Sequence, residues 1–122
     1  MTGHDISRIL AVSAPPDIRR GIENDYLPNF YERLKDSLIK SGKEMKISYE
    51  TFMNNYKLCF VDQSLMMTFA IGFVLQEYNI HEESDYIWDV RKFNIGIRIY
   101  YNIVDTIKIC KELRPDWLQN NQ

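Results

Sequence analysis

The sequence predicts an all-α domain of four to five helices. Apolar residues recur at the three- and four-residue spacing of a helix face, and no segment shows the two-residue alternation of a half-buried strand. Proline, glycine, asparagine and serine divide the 122 residues into four helical segments. A chain of this length suits one domain, so residues 1–122 are expected to form a single unit.

The first two segments have well-marked ends. Asp5 is predicted to cap the first helix, and Pro15 and Pro16 to end it, because a residue before proline avoids the helical conformation. Pro16 also suits the first position of the second helix, which is expected to stop near Gly42. Pro28 lies inside this second segment without an N–H to donate, so we expect a kink or a break there.

The third segment is predicted to be the central element of the core. Ser48 is its expected N-cap, and the segment continues to about Tyr78 as either one long helix or two. Beyond Asp62 it is apolar nearly all round, which is typical of a helix with contacts on several sides.

The fourth segment follows a predicted loop over residues 79–83. Ser84 or Asp85 is expected to cap a helix that ends near Leu113, and Trp117 and Leu118 are expected to fold back as an apolar plug. The residues predicted for the buried side of this helix are Ile87, Trp88, Phe93, Ile97, Tyr100, Tyr101, Val104, Ile107 and Cys110.

Composition and charge argue against several classes of protein. The formal net charge is -2, so nothing indicates the basic face that nucleic acid requires. The most apolar run, residues 65–75, is too short to span a bilayer, and the N-terminus lacks the apolar core of a signal peptide. Cys59 and Cys110 lie in apolar stretches without neighbouring ligands, which predicts reduced thiols, no zinc site and a cytoplasmic location.

Asp62 and Gln63 are the most informative polar residues, because they lie inside an apolar helix. Polar groups in such positions are hydrogen-bonded or face a cavity, so the two residues indicate either a structural network or a ligand pocket. Arg19 and Arg20 offer a choice between binding a phosphate-bearing partner and pairing with Glu23 one turn later, and we favour the pairing.

Other polar and aromatic groups have simple structural interpretations. His4 beside Asp5 fits a cap with a solvated imidazole better than a catalytic dyad, and residues 81–85 fit a polar loop better than a metal site. A set of aromatic residues at helical spacing is predicted to be core, with a pocket for a sterol or a cationic head group as the alternative. The members of this set are Tyr26, Phe30, Tyr31, Tyr49, Phe52 and Tyr56.

Several short motifs follow one another in a specific order. They are residues 3–6 (GHDI), 13–23 (SAPPDIRRGIE), 26–34 (YLPNFYERL), 47–52 (ISYETF) followed by Tyr56, 88–91 (WDVR) and 114–118 (RPDWL). In this order they resemble the end of the CHK kinase-like, or ecdysteroid-kinase-like, family, whose relatives include choline kinases and aminoglycoside phosphotransferases. The resemblance covers essentially the whole chain, although each motif is short.

The resemblance implies a C-terminal helical subdomain of a protein-kinase-like (choline kinase-like) fold, with the N-terminal lobe and the catalytic loop absent. The parent family transfers phosphate from ATP, with Mg, to a hydroxyl of a small molecule. The 122 residues contain no glycine-rich phosphate loop, no strand lysine and no catalytic aspartate. No catalytic or cofactor-binding residue is therefore carried over, and ATP and Mg are implied only for the full-length family.

The resemblance also implies which residues would contact the substrate in the parent kinase. In choline kinases the helix corresponding to residues 56–75 helps line the substrate pocket, which makes Tyr56, Asp62, Gln63 and Met66 the expected binding residues. Choline kinases line this pocket with aromatic residues, whereas Gln63 and Met66 are not aromatic, which argues against choline and leaves a bulkier hydroxylated substrate open.

The leading hypothesis is a truncated kinase-like protein that is catalytically inactive by itself. The alternative is a stand-alone all-α module for interaction or small-molecule binding. Whether the chain acts as an enzyme, and in which oligomeric state, is left open by the sequence.

Overall fold

Helices make up nearly all of the backbone in the computed structural model, which describes residues 3–77 and 85–119. The described α-helices are α1 (Gly3–Ser13), α2 (Pro16–Gly21), α3 (Leu27–Lys40), α4 (Tyr49–Glu77) and α5 (Asp85–Leu113). A π-helical turn (Ile22–Tyr26) joins α2 to α3, and a 3-10 turn (Pro115–Leu118) follows α5. No strand occurs in these ranges, and the predicted all-α fold class is confirmed.

Prolines mark the interruptions between α1 and α3. α1 ends at Ser13 and α2 begins at Pro16, as the sequence predicts. The interruption expected near Pro28 is present as the π-helical turn, in which the Leu27 N–H donates to the carbonyl of Ile22, five residues earlier. Because Pro28 has no N–H, the helix widens just before it, while Gly21 and Leu27 on either side keep helical dihedral angles, so the chain does not break there.

The connection from α3 to α4 follows two predicted signals. Gly42 has φ +70° and lies just beyond α3. There the Gly42 N–H donates to the Ile39 carbonyl and the Lys43 N–H to the Leu38 carbonyl, each at 2.9 Å, which satisfies two of the last carbonyls of the helix. At the start of α4, the Thr51 N–H donates to Ser48 Oγ at 3.1 Å, so the predicted N-cap is confirmed.

Two local predictions are wrong, and others concern residues that lie outside the described ranges. Asp5 lies in the first turn of α1 rather than at its N-cap, because the helix already includes Gly3. Trp117 and Leu118 are about half exposed instead of forming a plug, and the Trp117 ring lies 4.2 Å from Arg114 Cζ. The predicted loop over 79–83, the cap at Ser84 and the polar run 81–84 lie outside the described residues.

The core lies where α1 crosses the first half of α4. Its buried members are Leu10, Ala11, Ala14, Leu27, Tyr56 and Phe60. Small residues let the two helices approach closely: Ser7 and Ala11 are fully buried, and a Cβ placed on Gly3 would lie 3.4 Å from Cys59 Sγ. The third segment is thus one continuous helix that contacts α1, α3 and α5, as expected of the central element.

One face of α4 over residues 65–73 and one face of α5 are exposed, contrary to the predicted burial. Leu65, Met66, Phe69 and Phe73 of α4 are 48–71% exposed. On α5 the buried stripe consists of Asn102, Thr106 and Cys110, whereas most of the large apolar residues predicted to be buried face away from the core. The predicted aromatic set also divides, since Tyr31 and Tyr56 are buried while Tyr26 and Tyr49 are exposed.

Candidate functional site

A cleft of about 460 Å³ lies between α1 and the middle of α4. Its volume falls within the range of small-molecule pockets. One end is polar and the other apolar because α1 contributes an imidazole and a guanidinium while α4 turns from polar to apolar along the cleft. The lining residues are His4, Arg8, Val12, Asp62, Gln63, Met66, Met67 and Ala70.

Gln63 is the centre of the hydrogen-bonded groups at the polar end. Its side chain is buried, and its Oε1 accepts a hydrogen bond from Arg8 Nε at 2.9 Å. Its Nε2 donates to Asp62 Oδ2 at 2.8 Å and lies 3.4 Å from His4 Nδ1. Because the carbonyl oxygen is held by Arg8, the amide nitrogen is directed toward Asp62 and His4.

The polar end therefore offers hydrogen-bonding groups of several kinds within a few ångströms. His4 Nδ1 lies 3.7 Å from Asp62 Oδ2, and both side chains are exposed to the cleft and solvent. A carboxylate accepts from hydroxyls, a guanidinium donates, and an imidazole does either according to its tautomer. Such a set suits a ligand that carries hydroxyl groups, while Met66 and Ala70 provide an apolar wall for its body.

Three of the four sequence-predicted site residues meet in this cleft, namely Asp62, Gln63 and Met66. Asp62 and Gln63 form the hydrogen-bonded network that was one of the two alternatives. They also line the cleft, and the binding of a ligand there stays a prediction. Tyr56 lies elsewhere: its side chain is buried, and it lines a separate pocket of about 210 Å³ between α2, α4 and α5.

A partly buried ionic network lies beside Tyr56 and joins these three elements. Arg19, 1% exposed, donates from Nη1 to Glu23 Oε1 at 2.8 Å and from Nη2 to Asp105 of α5. Arg20 donates to both Asp105 oxygens at 3.0 Å. The Tyr56 hydroxyl completes the network by donating to Glu23 Oε1 at 2.7 Å. The predicted pairing of Arg19 with Glu23 is confirmed, whereas Arg20 pairs with Asp105 instead.

The pKa values in the network follow from burial and charge. Burial, reinforced by the Glu23 carboxylate, raises the pKa of Tyr56, so its hydroxyl remains a donor. Burial acts to raise the pKa of Asp105, but the hydrogen bonds from Arg20 and Arg19 outweigh it and the pKa is lowered. The Arg19 guanidinium also lies 4.5 Å from the centre of the Phe60 ring, so its face is covered as well.

Sequence reasoning missed Arg8 as a cleft residue and Asp105 as the acid of the network. His4 and Arg8 are one helical turn apart, so their shared face was visible in the sequence, but nothing local indicates that it meets α4. Asp105 is an isolated acid in an otherwise apolar stretch of α5, which is a signal for a buried pair.

Neither a metal site nor a membrane span is found in the described part of the chain. No three His, Cys, Asp or Glu side chains within residues 3–77 and 85–119 lie close enough to hold an ion. No described helix combines the length and the apolar character needed to cross a bilayer.

The described residues thus form a helical protein with a partly polar cleft between its first and its central helix. A family model described as "Uncharacterized oxidoreductase dhs-27", DUF1679, matches residues 1–96. The chain therefore belongs to the DUF1679 family. The match includes every residue that lines the cleft.

A curated relative is the protein "Uncharacterized oxidoreductase dhs-27" of Caenorhabditis elegans, 28% identical over 71 residues. The aligned part amounts to 58% of this chain and 9% of the relative, so the chain spans about a tenth of that protein's length. No solved structure matches.

Proposed function

We propose that this chain is the substrate-side helical subdomain of a kinase-like protein, and that its α1–α4 cleft receives a small hydroxylated molecule. The observation that carries the proposal is the convergence of Asp62, Gln63 and Met66 on one cleft. The resemblance of the ordered motifs to CHK kinase-like proteins supplies the class of ligand. A bulkier substrate than choline suits a cleft of about 460 Å³ with an apolar wall.

The proposed contribution of the chain is binding rather than phosphoryl transfer. Transfer from ATP needs Mg ligands and a base beside the attacking hydroxyl. The acidic residues within residues 3–77 and 85–119 do not come together with other ligands in a group that could hold a metal ion. The chain alone is accordingly expected to bind a hydroxylated ligand without turning over ATP.

The relative is named an oxidoreductase, but we do not propose a redox activity for this chain. The alignment covers 9% of that protein, and the cleft residues offer hydrogen bonds rather than a recognisable dinucleotide site.

Calorimetric titration of the purified chain tests the proposal. An ecdysteroid and choline are the ligand probes, and Mg-ATP is a third titrant. We expect saturable binding of the ecdysteroid, weaker or no binding of choline, and no heat with Mg-ATP. Gln63→Ala should weaken ecdysteroid binding about tenfold, because it removes the amide and frees Arg8 and Asp62 from their fixed positions.

Asn55→Ala is the matched control, since Asn55 is an exposed amide on the same helix outside the cleft lining. Equal affinity of the two variants for the ecdysteroid would show that the cleft is not the binding site. Turnover of ATP by the chain alone would refute the division between binding and transfer.

The alternative function is a stand-alone all-α interaction module, and the exposed apolar residues of α4 and α5 favour it. The two functions can be told apart by what the chain binds. An interaction module would associate with a protein, and this association would be unaffected by Gln63→Ala and by every small molecule in the titrations.

A further inference from the structure

An exposed face of α5 carries a regular heptad pattern. Large apolar residues on this face are spaced alternately by four and three residues over three heptads, which is the repeat of a coiled-coil seam. The seam residues are Tyr86, Val90, Phe93, Ile97, Tyr100, Val104 and Ile107. Five of them are 41–80% exposed, and Ile97 and Val104 are half-buried.

The seam is not the face by which α5 joins its own fold. Asn102, Thr106 and Cys110 form the buried stripe, and Asn102 Nδ2 donates to the Ala11 carbonyl at 2.9 Å. At 100° per residue, this buried stripe lies on the opposite side of the helix from the seam. The helix thus has two faces, a narrow one toward the core and a broad apolar one directed outward.

We propose that the seam of α5 pairs with the same seam of a second copy of this chain, giving a two-stranded homodimer. The a positions of the heptad are Val90, Ile97 and Val104. β-Branched residues at a occur in parallel two-stranded coiled coils, in which the a residues of the two copies face each other across the seam. The seam itself is uncharged, so nothing in it repels an identical helix.

The positions beside the seam also permit pairing between copies. Ile87, Tyr101 and Ile103 flank it with further exposed apolar surface. The charged flanking residues are Asp89 near one end and Lys108 near the other, of opposite sign. Identical helices therefore bring no block of like charges together.

The exposed area is sufficient for a stable dimer. An aromatic side chain buries 150–250 Å² when fully covered, so the exposed fractions of the seam and its flanks amount to roughly 800 Å² per chain. A specific interface of standard size buries about 800 Å² on each partner.

Sedimentation and light scattering of the purified chain at micromolar concentration test the proposal. The wild-type chain is expected to be a dimer. Phe93→Glu places a charge at the middle of the seam and should raise the dimer dissociation constant about a hundredfold or more, with helix content unchanged. Phe73→Glu is the matched control: Phe73 is an equally exposed phenylalanine on α4, and its replacement should leave the dimer intact.

A second measurement does not depend on the folding of a charged variant. Ile97→Cys lies at the middle of the seam and should form a covalent dimer on mild oxidation, whereas Lys92→Cys, off the seam on the same helix, should not. The wild-type chain in parallel reports any background from Cys59 and Cys110. A monomeric wild type, equal loss of association in both phenylalanine variants, or equal crosslinking at both cysteines would each overturn the proposal.

Discussion

Replacement of Asp105 by alanine should be among the most destabilising single changes in this protein. Asp105 accepts hydrogen bonds from Arg19 and from two nitrogens of Arg20, and it joins α5 to α2. Without it, the Arg19 guanidinium stays buried with Glu23 as its remaining acidic partner. A buried cation that loses a partner keeps the full cost of its desolvation.

The expected loss is about 3 kcal/mol. Removing one partner of a buried pair costs about 3–5 kcal/mol. The lower end applies because Glu23 still accepts from Arg19, and Arg20, 40% exposed, can turn to water. Since a natural domain has a net stability of about 5–15 kcal/mol, this loss should lower the midpoint of thermal unfolding by roughly 10 °C.

Urea unfolding followed by circular dichroism at neutral pH measures the effect. Asp89→Ala is the control, because Asp89 is an exposed acid on the same helix, and its removal should change the unfolding free energy by less than about 0.5 kcal/mol. If Asp105→Ala cost no more than this control, the network would not be what joins α2 to α5.

Wild type and Asp105→Ala should also differ in how their stability depends on pH. The folded-state pKa of Asp105 is lowered, because the hydrogen bonds from the two arginines outweigh the effect of burial. A lowered pKa stabilises the fold above the unfolded value of about 3.9, and this stabilisation is lost as the pH falls through the folded pKa. The stability difference between wild type and Asp105→Ala should therefore be constant above about pH 5 and shrink below pH 4. A difference that grows in acid would contradict the assigned charge state.

Three further changes test local features by the same urea assay. Tyr56→Phe removes the hydroxyl that donates to Glu23 and should cost about 1–3 kcal/mol, whereas no loss would mean that water replaces the bond. Gly42→Ala should destabilise by about 1 kcal/mol because of its positive φ, while Gly72→Ala, in open space within α4, should stabilise by up to about 1 kcal/mol; the reverse order would contradict both assignments. Ser48→Ala should cost about 1 kcal/mol through loss of the N-cap, and an unchanged midpoint would show that the cap is dispensable.

The helix ends were predictable because their causes are local. A glycine beyond a helix and a serine before one act through the backbone groups of the same turn, as Gly42 and Ser48 do. An irregularity near Pro28 was predictable, but its form was not, because the helix widens into a π-helical turn ahead of the proline instead of breaking. The cap assigned to Asp5 failed for a similar reason, since the helix extends to Gly3.

Long-range partners were predictable only in part. The Arg19–Glu23 pair is four residues apart and visible in the sequence, whereas Asp105 is 86 residues from Arg19 and is brought near by the packing of α5. Likewise Asp62 and Gln63 were recognised as polar residues on an apolar helix, but their neighbour Arg8 comes from α1. Tyr56 was grouped with them because it lies on the same helix, and its side chain faces the ionic network instead.

The exposed seam of α5 explains why the hydrophobic periodicity led to a wrong prediction of which α5 residues are buried. A hydrophobic period identifies the face that must be covered, but it does not say whether the cover comes from the same chain. In α5 the chain covers the opposite stripe, and Asn102 on that stripe approaches Met67 Sδ of the cleft lining at 3.6 Å. The cleft and the seam thus lie on opposite sides of α5, which makes the two proposed activities separable. Gln63→Ala should weaken the ligand and keep the dimer, and Phe93→Glu should do the reverse.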